Sequence, residues 1–199
     1  ISACGNHMNP PLSYIDPSRV GNIEIFAGIT PVSLGGDSIG GTILVESEDP
    51  QFATQEQGTL SSGEISTYYR SNGNAYGGNV SATLANESLS LNYNGSSAQA
   101  NNYVAGADFK PAGQAAAGRE WLDGNEVGST YYKSVNQSLN LGIRHENHLV
   151  ELKFGIQNIP YQGFVNQRMD MTENKSEQIN FRYTGAYNWG SLVARVYHE

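Results

Sequence analysis

The chain has one cysteine in 199 residues, so it can form no internal disulfide. Lysine and arginine number 11 against 19 aspartate and glutamate, a net charge of −8. A surface that neutralises phosphates needs clustered cations, so nucleic acid is excluded as a partner. There is no 18-residue apolar run and hence no transmembrane helix, although barrel strands give only a weak alternating signal and stay open. Periodicity of the helical kind is absent. Hydrophobic residues make up 38%, little for a packed core of this length. No signal peptide opens the chain, and Arg195-Val-Tyr-His-Glu199 stops inside an alternating pattern. Both ends therefore predict a piece of a longer protein.

What is present is glycine, at 23 residues, and tyrosine, at 12 against 6 phenylalanines. This composition suits strands separated by many turns. Residues 1–19 are irregular, because Pro10-Pro11 and Asp16-Pro17 forbid a continuous helix. Two short apolar strands, Ile23–Phe26 and Thr42–Val45, then flank a segment with Gly28, Gly35, Gly36, Gly40 and Gly41, which suit turns of positive φ. Residues 48–58 read as a polar linker.

From Thr59 onward alternation dominates. Ile65, Thr67 and Tyr69 interleave with Glu64, Ser66 and Arg70, and Asn72-Gly73 marks a turn. Val80, Ala82 and Leu84 alternate with Asn79, Ser81 and Thr83; Leu89, Leu91 and Tyr93 with Ser90, Asn92 and Asn94. After a polar loop of about Ala107 to Glu126 come Val135, Leu139, Leu141 and Ile143, then Val150, Leu152, Phe154 and Ile156, then Ile179, Phe181 and Tyr183, then Leu192, Ala194 and Val196. About seven strands result, with tight turns and longer loops taking turns along the chain. A soluble sandwich also alternates. Strands of roughly ten residues, and Tyr131, Tyr132, Tyr161, Tyr187 and Trp189 near their ends, fit a transmembrane barrel with aromatic girdles.

Ile23-Glu24-Ile25, Gly28, Gly35-Gly36-Asp37-Ser38-Ile39-Gly40-Gly41-Thr42-Ile43 and Val45 resemble the C-terminal half of the plug domain of TonB-dependent outer-membrane receptors over about thirty residues. One departure is Ala27, where that family carries arginine. The resemblance implies an all-β transmembrane barrel, here a fragment of about seven antiparallel strands, joined to the C-terminal part of a small α/β plug domain. The expected division is plug over 1–50, linker over 51–58 and the first barrel strands over 59–199. Plugged transporters of this kind use ~22 strands, so seven cannot close around a plug. An open sheet exposes an edge and a lipid-facing stripe, and such a fragment is not expected to fold alone.

Candidate chemistry gathers in three places. Cys4, His7 and Met8 put a thiol, an imidazole and a thioether within five residues, in a stretch that Gly5 and Pro10-Pro11 turn back on itself. Thiolate and thioether are soft donors that favour Cu(I); the plainer alternative is that Cys4 and Met8 only pack. Cys4-x-x-x-Met8 followed by Asn-Pro-Pro-Leu-Ser-Tyr-Ile-Asp-Pro resembles the copper-receptor branch of the TonB-dependent family, which implies that Cys4 and Met8 are copper ligands; His7 falls inside the same motif. Met169 and Met171, two apart in a polar loop, would point the same way on an extended segment. They would capture metal at the outer face and pass it inward, or simply pack on neighbouring loops. His145 and His148 flank a tight turn and read as surface decoration before they read as a metal pair, and His198 has no visible partner. Glu24 is expected to pair with Arg19, Asp37 to brace the glycine turn, and Asp16 to be structural. No nucleophile–base–acid set is legible, and Gly35-Gly36-Asp37 lacks the lysine of a phosphate loop, so no enzyme is expected.

The resemblance implies a transporter in the outer membrane of a Gram-negative cell, bathed in outer-membrane lipid. It implies an energy-transducing TonB-type partner and copper, as Cu(I) or a complex, for cargo. A siderophore or cobalamin is the alternative cargo, and a soluble β-sandwich adhesin or binding module the alternative of another class.

Overall fold

The computed structural model describes residues 15–17, 20–34, 40–115, 120–165 and 170–198. Strands β1 (Asn22–Ala27) and β2 (Gly41–Glu46) form an antiparallel hairpin in which Asn22 lies opposite Glu46 and Ala27 opposite Gly41. Both expected strands are found, each slightly longer than the apolar run. Gly28 and Gly41 adopt φ of 86° and 120°, and a Cβ on Gly41 would stand 2.7 Å from the Phe26 carbonyl oxygen. Only glycine fits there. Gly40 is not left-handed, and Gly35, Gly36 and Asp37 lie outside the described residues. Glu24 accepts a hydrogen bond from Asn22 Nδ2 at 3.1 Å, and Arg19, its expected partner, lies outside the described residues.

Most of the remaining described residues build one antiparallel sheet. Its strands are β3 (Leu60–Arg70), β4 (Ala75–Ala85), β5 (Leu89–Ala100), β10 (Tyr132–His145), β11 (His148–Gln162), β12 (Asn174–Tyr187) and β13 (Gly190–His198). They lie side by side in that order, so the sheet is a meander. The connection from β5 to β10 carries two small ladders, β6 (Tyr103–Val104) with β9 (Glu126–Val127) and β7 (Gly113–Gln114) with β8 (Trp121–Leu122). The loop is thus wider than the sequence suggests and partly regular. Residues 86–88, 146–147 and 188–189 turn the chain at one end of the sheet; residues 71–74, 101–131 and 163–173 connect it at the other. Asn86 shapes the first tight turn, its Oδ1 accepting the amides of Ser88 at 2.9 Å and Leu89 at 2.7 Å, a turn that asparagine is suited to make.

Register decides what the two faces are for. Leu84, Leu91, Leu141, Leu152, Phe181 and Val196 stand in one row across six strands. The neighbouring row, on the opposite face, is Thr83, Asn92, Asn140, Lys153, Asn180 and Tyr197. Leu84 is 57% exposed and Val196 69%, whereas Thr83 is 7% exposed. The fully covered side chains of the sheet are polar ones such as Ser90, Asn136, Ser138 and Glu151, and the covered apolar ones are mostly alanines. A soluble sandwich buries its apolar face; this sheet does the reverse. That is the pattern of a barrel wall with lipid outside and a polar lumen. Strands of 9 to 15 residues also suit a tilted crossing of the bilayer, which needs about 9–11. No helix among the described residues is long and apolar enough to cross, which has no bearing on strands.

The polar face satisfies itself sideways. Asn92 Nδ2 donates to Thr83 Oγ1 at 2.9 Å, Asn140 Nδ2 to Asn92 Oδ1 at 3.1 Å, and Gln157 Nε2 to Asn136 Oδ1 at 2.8 Å. Each such bond contributes ~1 kcal/mol net. Aromatic side chains mark both ends of the strands. Tyr131 meets Tyr161 edge-on at 5.8 Å near the long loops, and Tyr187 stacks on Trp189 at 5.1 Å beside the tight turns.

The inversion of faces makes opposite demands on adjacent rows. Leu141→Arg places a charge in the lipid-facing row and is expected to cost about 2–4 kcal/mol. Ser81→Lys points to the lumen, opposite Glu64, and is expected to change stability by less than about 0.5 kcal/mol. Urea titration of the full-length protein refolded into lipid vesicles measures both, and equal losses would contradict the assignment of faces.

Candidate functional site

The loop end of the polar face holds a basin. Ile15 and Asp16 enter it from the N-terminal side, and Ser96 Oγ on β5 donates a hydrogen bond to Asp16 Oδ2. Its volume is about 720 Å³, and its walls include Tyr68 and Arg70 of β3, Tyr132 and Lys133 of β10, and Gln157 of β11. Alternation explains the gathering, since Ser66, Tyr68 and Arg70 all point to the lumen side of β3. The Tyr68 and Tyr132 hydroxyls stand 3.3 Å apart, and the Arg70 guanidinium lies 5.3 Å from the centre of the Tyr68 ring. Asn136 bridges the floor, donating to Ser96 Oγ at 3.3 Å while accepting from Gln157. Register turns Lys133 to the other face, beside Gln99, so the charged side chains that reach the basin are Arg70 and Asp16, one of each sign. The walls offer hydrogen-bond donors, ring faces and one positive charge, and no soft metal ligand.

Cys4, His7 and Met8 lie outside the described residues, as does Met169. Met171 is described and is 8% exposed. Its amide and carbonyl pair with Gln162, at 2.8 and 3.0 Å. The neighbouring Asp170 ties three pieces of chain together: its Oδ2 accepts from Ser129 Oγ at 3.1 Å and Tyr131 OH at 3.0 Å, and its Oδ1 from the Phe164 amide at 3.2 Å. The sequence singled out the methionines of this loop and passed over the aspartate that positions it. An aspartate between two methionines carries no local signal, because two of its three donors come from a loop some forty residues earlier.

His145 and His148 are directly opposite in the register of β10 and β11. His148 Nδ1 bonds the Tyr183 hydroxyl at 2.8 Å, and its ring packs edge-on against Tyr187 at 5.3 Å. It belongs to the aromatic group at the tight-turn end. His198 closes β13, opposite Ile179. Among the described residues no three histidine, cysteine, aspartate or glutamate side chains converge as a metal site. Glu151 is the feature alternation hid: it sits on the polar face as expected, yet is 2% exposed, between Lys153 at 3.7 Å and Arg182 at 3.5 Å.

No family model matches this sequence, and no curated protein matches it. Among solved structures, the chain is similar to one described as the copper transporter OprC, with a TM-score of 0.77 and 24% identity. The match covers 99% of this chain and 28% of that one, so the chain spans little more than a quarter of that protein's length. At this identity the likeness is one of fold: the hairpin and seven-stranded sheet together match the corresponding part of a larger protein.

Proposed function

We propose that this chain is part of a TonB-dependent outer-membrane transporter that imports copper or a copper complex. Residues 1–50 would then belong to the plug, 51–58 to the linker and 59–199 to the barrel wall. The observation that carries the reading is the sheet's inversion, apolar outside and hydrogen-bonded inside, which suits a wall between lipid and an aqueous lumen. The likeness in fold to a copper transporter supports the cargo. So does the Cys4-x-x-x-Met8 motif, whose soft donors select Cu(I) over harder ions by ligand type rather than by raw affinity.

In this reading the tight turns face the periplasm and the long loops the exterior. Metal meets the loop end first, where Met169 and Met171 would receive it, and passes to Cys4 and Met8, with His7 as a further donor. Six residues lie between Met8 and Ile15 at the basin, a reach of at most ~25 Å. An energy-transducing TonB-type protein would supply the pull that rearranges the plug. No bond is made or broken in the cargo.

The basin supports a second reading. Arg70, Gln157 and the Tyr68–Tyr132 pair would suit an anionic organic chelate such as a siderophore. Cobalamin would demand a similar contact surface.

Copper content separates the two. The full-length receptor, loaded with copper under reducing conditions, is expected to hold it near stoichiometrically, and Cys4→Ala and Met8→Ala are each expected to lose at least tenfold in affinity. Retention in both variants would move the cargo to an organic chelate. The outer methionines have their own test. Met171→Leu keeps the volume of a buried residue and costs less than about 1.5 kcal/mol, so Met169→Leu with Met171→Leu is expected to slow copper uptake severalfold without unfolding the loop. Unchanged uptake would remove them from the path. Asp170→Ala releases three hydrogen bonds at once, and limited proteolysis is expected to cut the 163–173 loop faster in that variant while the strands resist.

A further inference from the structure

Residues 47–53, between the hairpin and the sheet, have no regular secondary structure, yet they are held at four points by three separate parts of the wall. Lys153 Nζ of β11 donates to Ser47 Oγ at 2.7 Å. On β10, Gly142 leaves room for the segment: a Cβ there would stand 2.8 Å from Pro50 Cβ and 3.3 Å from Phe52 Cζ. Two residues on, the Arg144 guanidinium covers the Phe52 ring at 4.3 Å while donating to the Glu87 carbonyl at 2.8 and 3.2 Å. Ala53 is 1% exposed, and its amide donates to the Asn86 carbonyl at 3.1 Å in the first tight turn. A passive tether would not bury an alanine or lie against a glycine of the wall.

The charged group behind this contact is Glu151. Register sets it on the lumen face between Gly142 and Arg182. Its carboxylate is almost fully covered, with Lys153 and Arg182 as its ion-pair partners and, among the described residues, no hydrogen bond to either oxygen. Ser90 Oγ, equally covered, also has no hydrogen-bond partner among the described residues. Both residues line a cavity of about 20 Å³, closed on its other side by Glu48, Asp49, Pro50 and Gln51. That is room for one water, which the two could share. A buried carboxylate demands compensation, so Lys153 is drawn toward Glu151 and is in place to hold Ser47.

We propose that residues 47–53 are a fixed anchor, clamped to the barrel wall by Lys153, Gly142 and Arg144 with Glu151 holding Lys153 in position. Any movement of the hairpin segment then begins ahead of Ser47. This last step rests on the transport reading; the clamp itself does not.

Two measurements on the full-length receptor test it. Amide hydrogen exchange is expected to show the Ala53 amide, bonded to the Asn86 carbonyl, at least tenfold more protected than those of Gln55 and Glu56 in the turn that follows. Lys153→Met combined with Arg144→Met, which removes the holds on both Ser47 and Phe52, is expected to abolish most of that protection while β10 and β11 stay protected, since Arg182 still pairs Glu151. Exchange at open-loop rates in the parent, or no change in the variant, overturns the clamp. The second measurement joins the surfaces covalently with Pro50→Cys and Gly142→Cys, beside each single variant as a control for Cys4. The disulfide is expected to form, with energised copper uptake within twofold of the reduced form. Uptake lost on oxidation and regained with reductant overturns the fixed anchor. If the parent takes up no copper, the transport reading fails, and the exchange measurement alone decides the clamp.

Discussion

The structure depends on one constraint: backbone amides and carbonyls in hydrocarbon must be paired along every strand. Lipid offers them nothing, and leaving one unpaired costs several kcal/mol. An antiparallel meander meets this with neighbours in sequence, and six consecutive ladders do so here. Once the ladder is fixed, the period of two assigns every side chain to lipid or lumen. The leucine row and the asparagine row are two outcomes of the same pleat. A shift of one residue in β10 or β11 would turn Asn140 or Lys153 to the apolar face, so register is strongly enforced.

The lumen face then faces a problem that a soluble core does not. Its side chains are polar and crowded, so they must bond each other across strands. Carboxamides do this well, since each both donates and accepts. Thr83, Asn92 and Asn140 form one such chain across β4, β5 and β10. Glu151 is the exception, because its buried charge is balanced by ion pairs at 3.5 and 3.7 Å rather than by hydrogen bonds. That imbalance sits beside the segment entering the sheet, and one cation, Lys153, answers both.

Strands and turns were legible because alternation and Asn-Gly-type punctuation are local signals. Leu139, Leu141 and Ile143 named a strand by themselves. Which face turned outward was not legible, because apolar-in and apolar-out sheets share one pattern; exposure decided it. The two ladders within residues 101–131 were missed because pairs such as Tyr103–Val104 are too short to show a period. Asp170 and Glu151 were missed for a related reason. Their partners, Tyr131 and Arg182, lie about thirty to forty positions away, and only the register brings them near. The Cys4–Met8 motif was legible in the sequence and lies outside the described residues, so it stands on its chemistry and its resemblance.

The carboxamide lining has a mechanical consequence. A body sliding over a greasy wall must strip and restore apolar contact, and each step carries the hydration penalty of exposed hydrocarbon. Over a surface of asparagine, glutamine, serine and threonine, the same movement exchanges one hydrogen bond for another, with water filling the interval at little cost. If the chain serves in transport as proposed, the wall is a wet bearing. Displacement along it should therefore leave almost no heat-capacity change, the thermodynamic mark of apolar area being covered or uncovered.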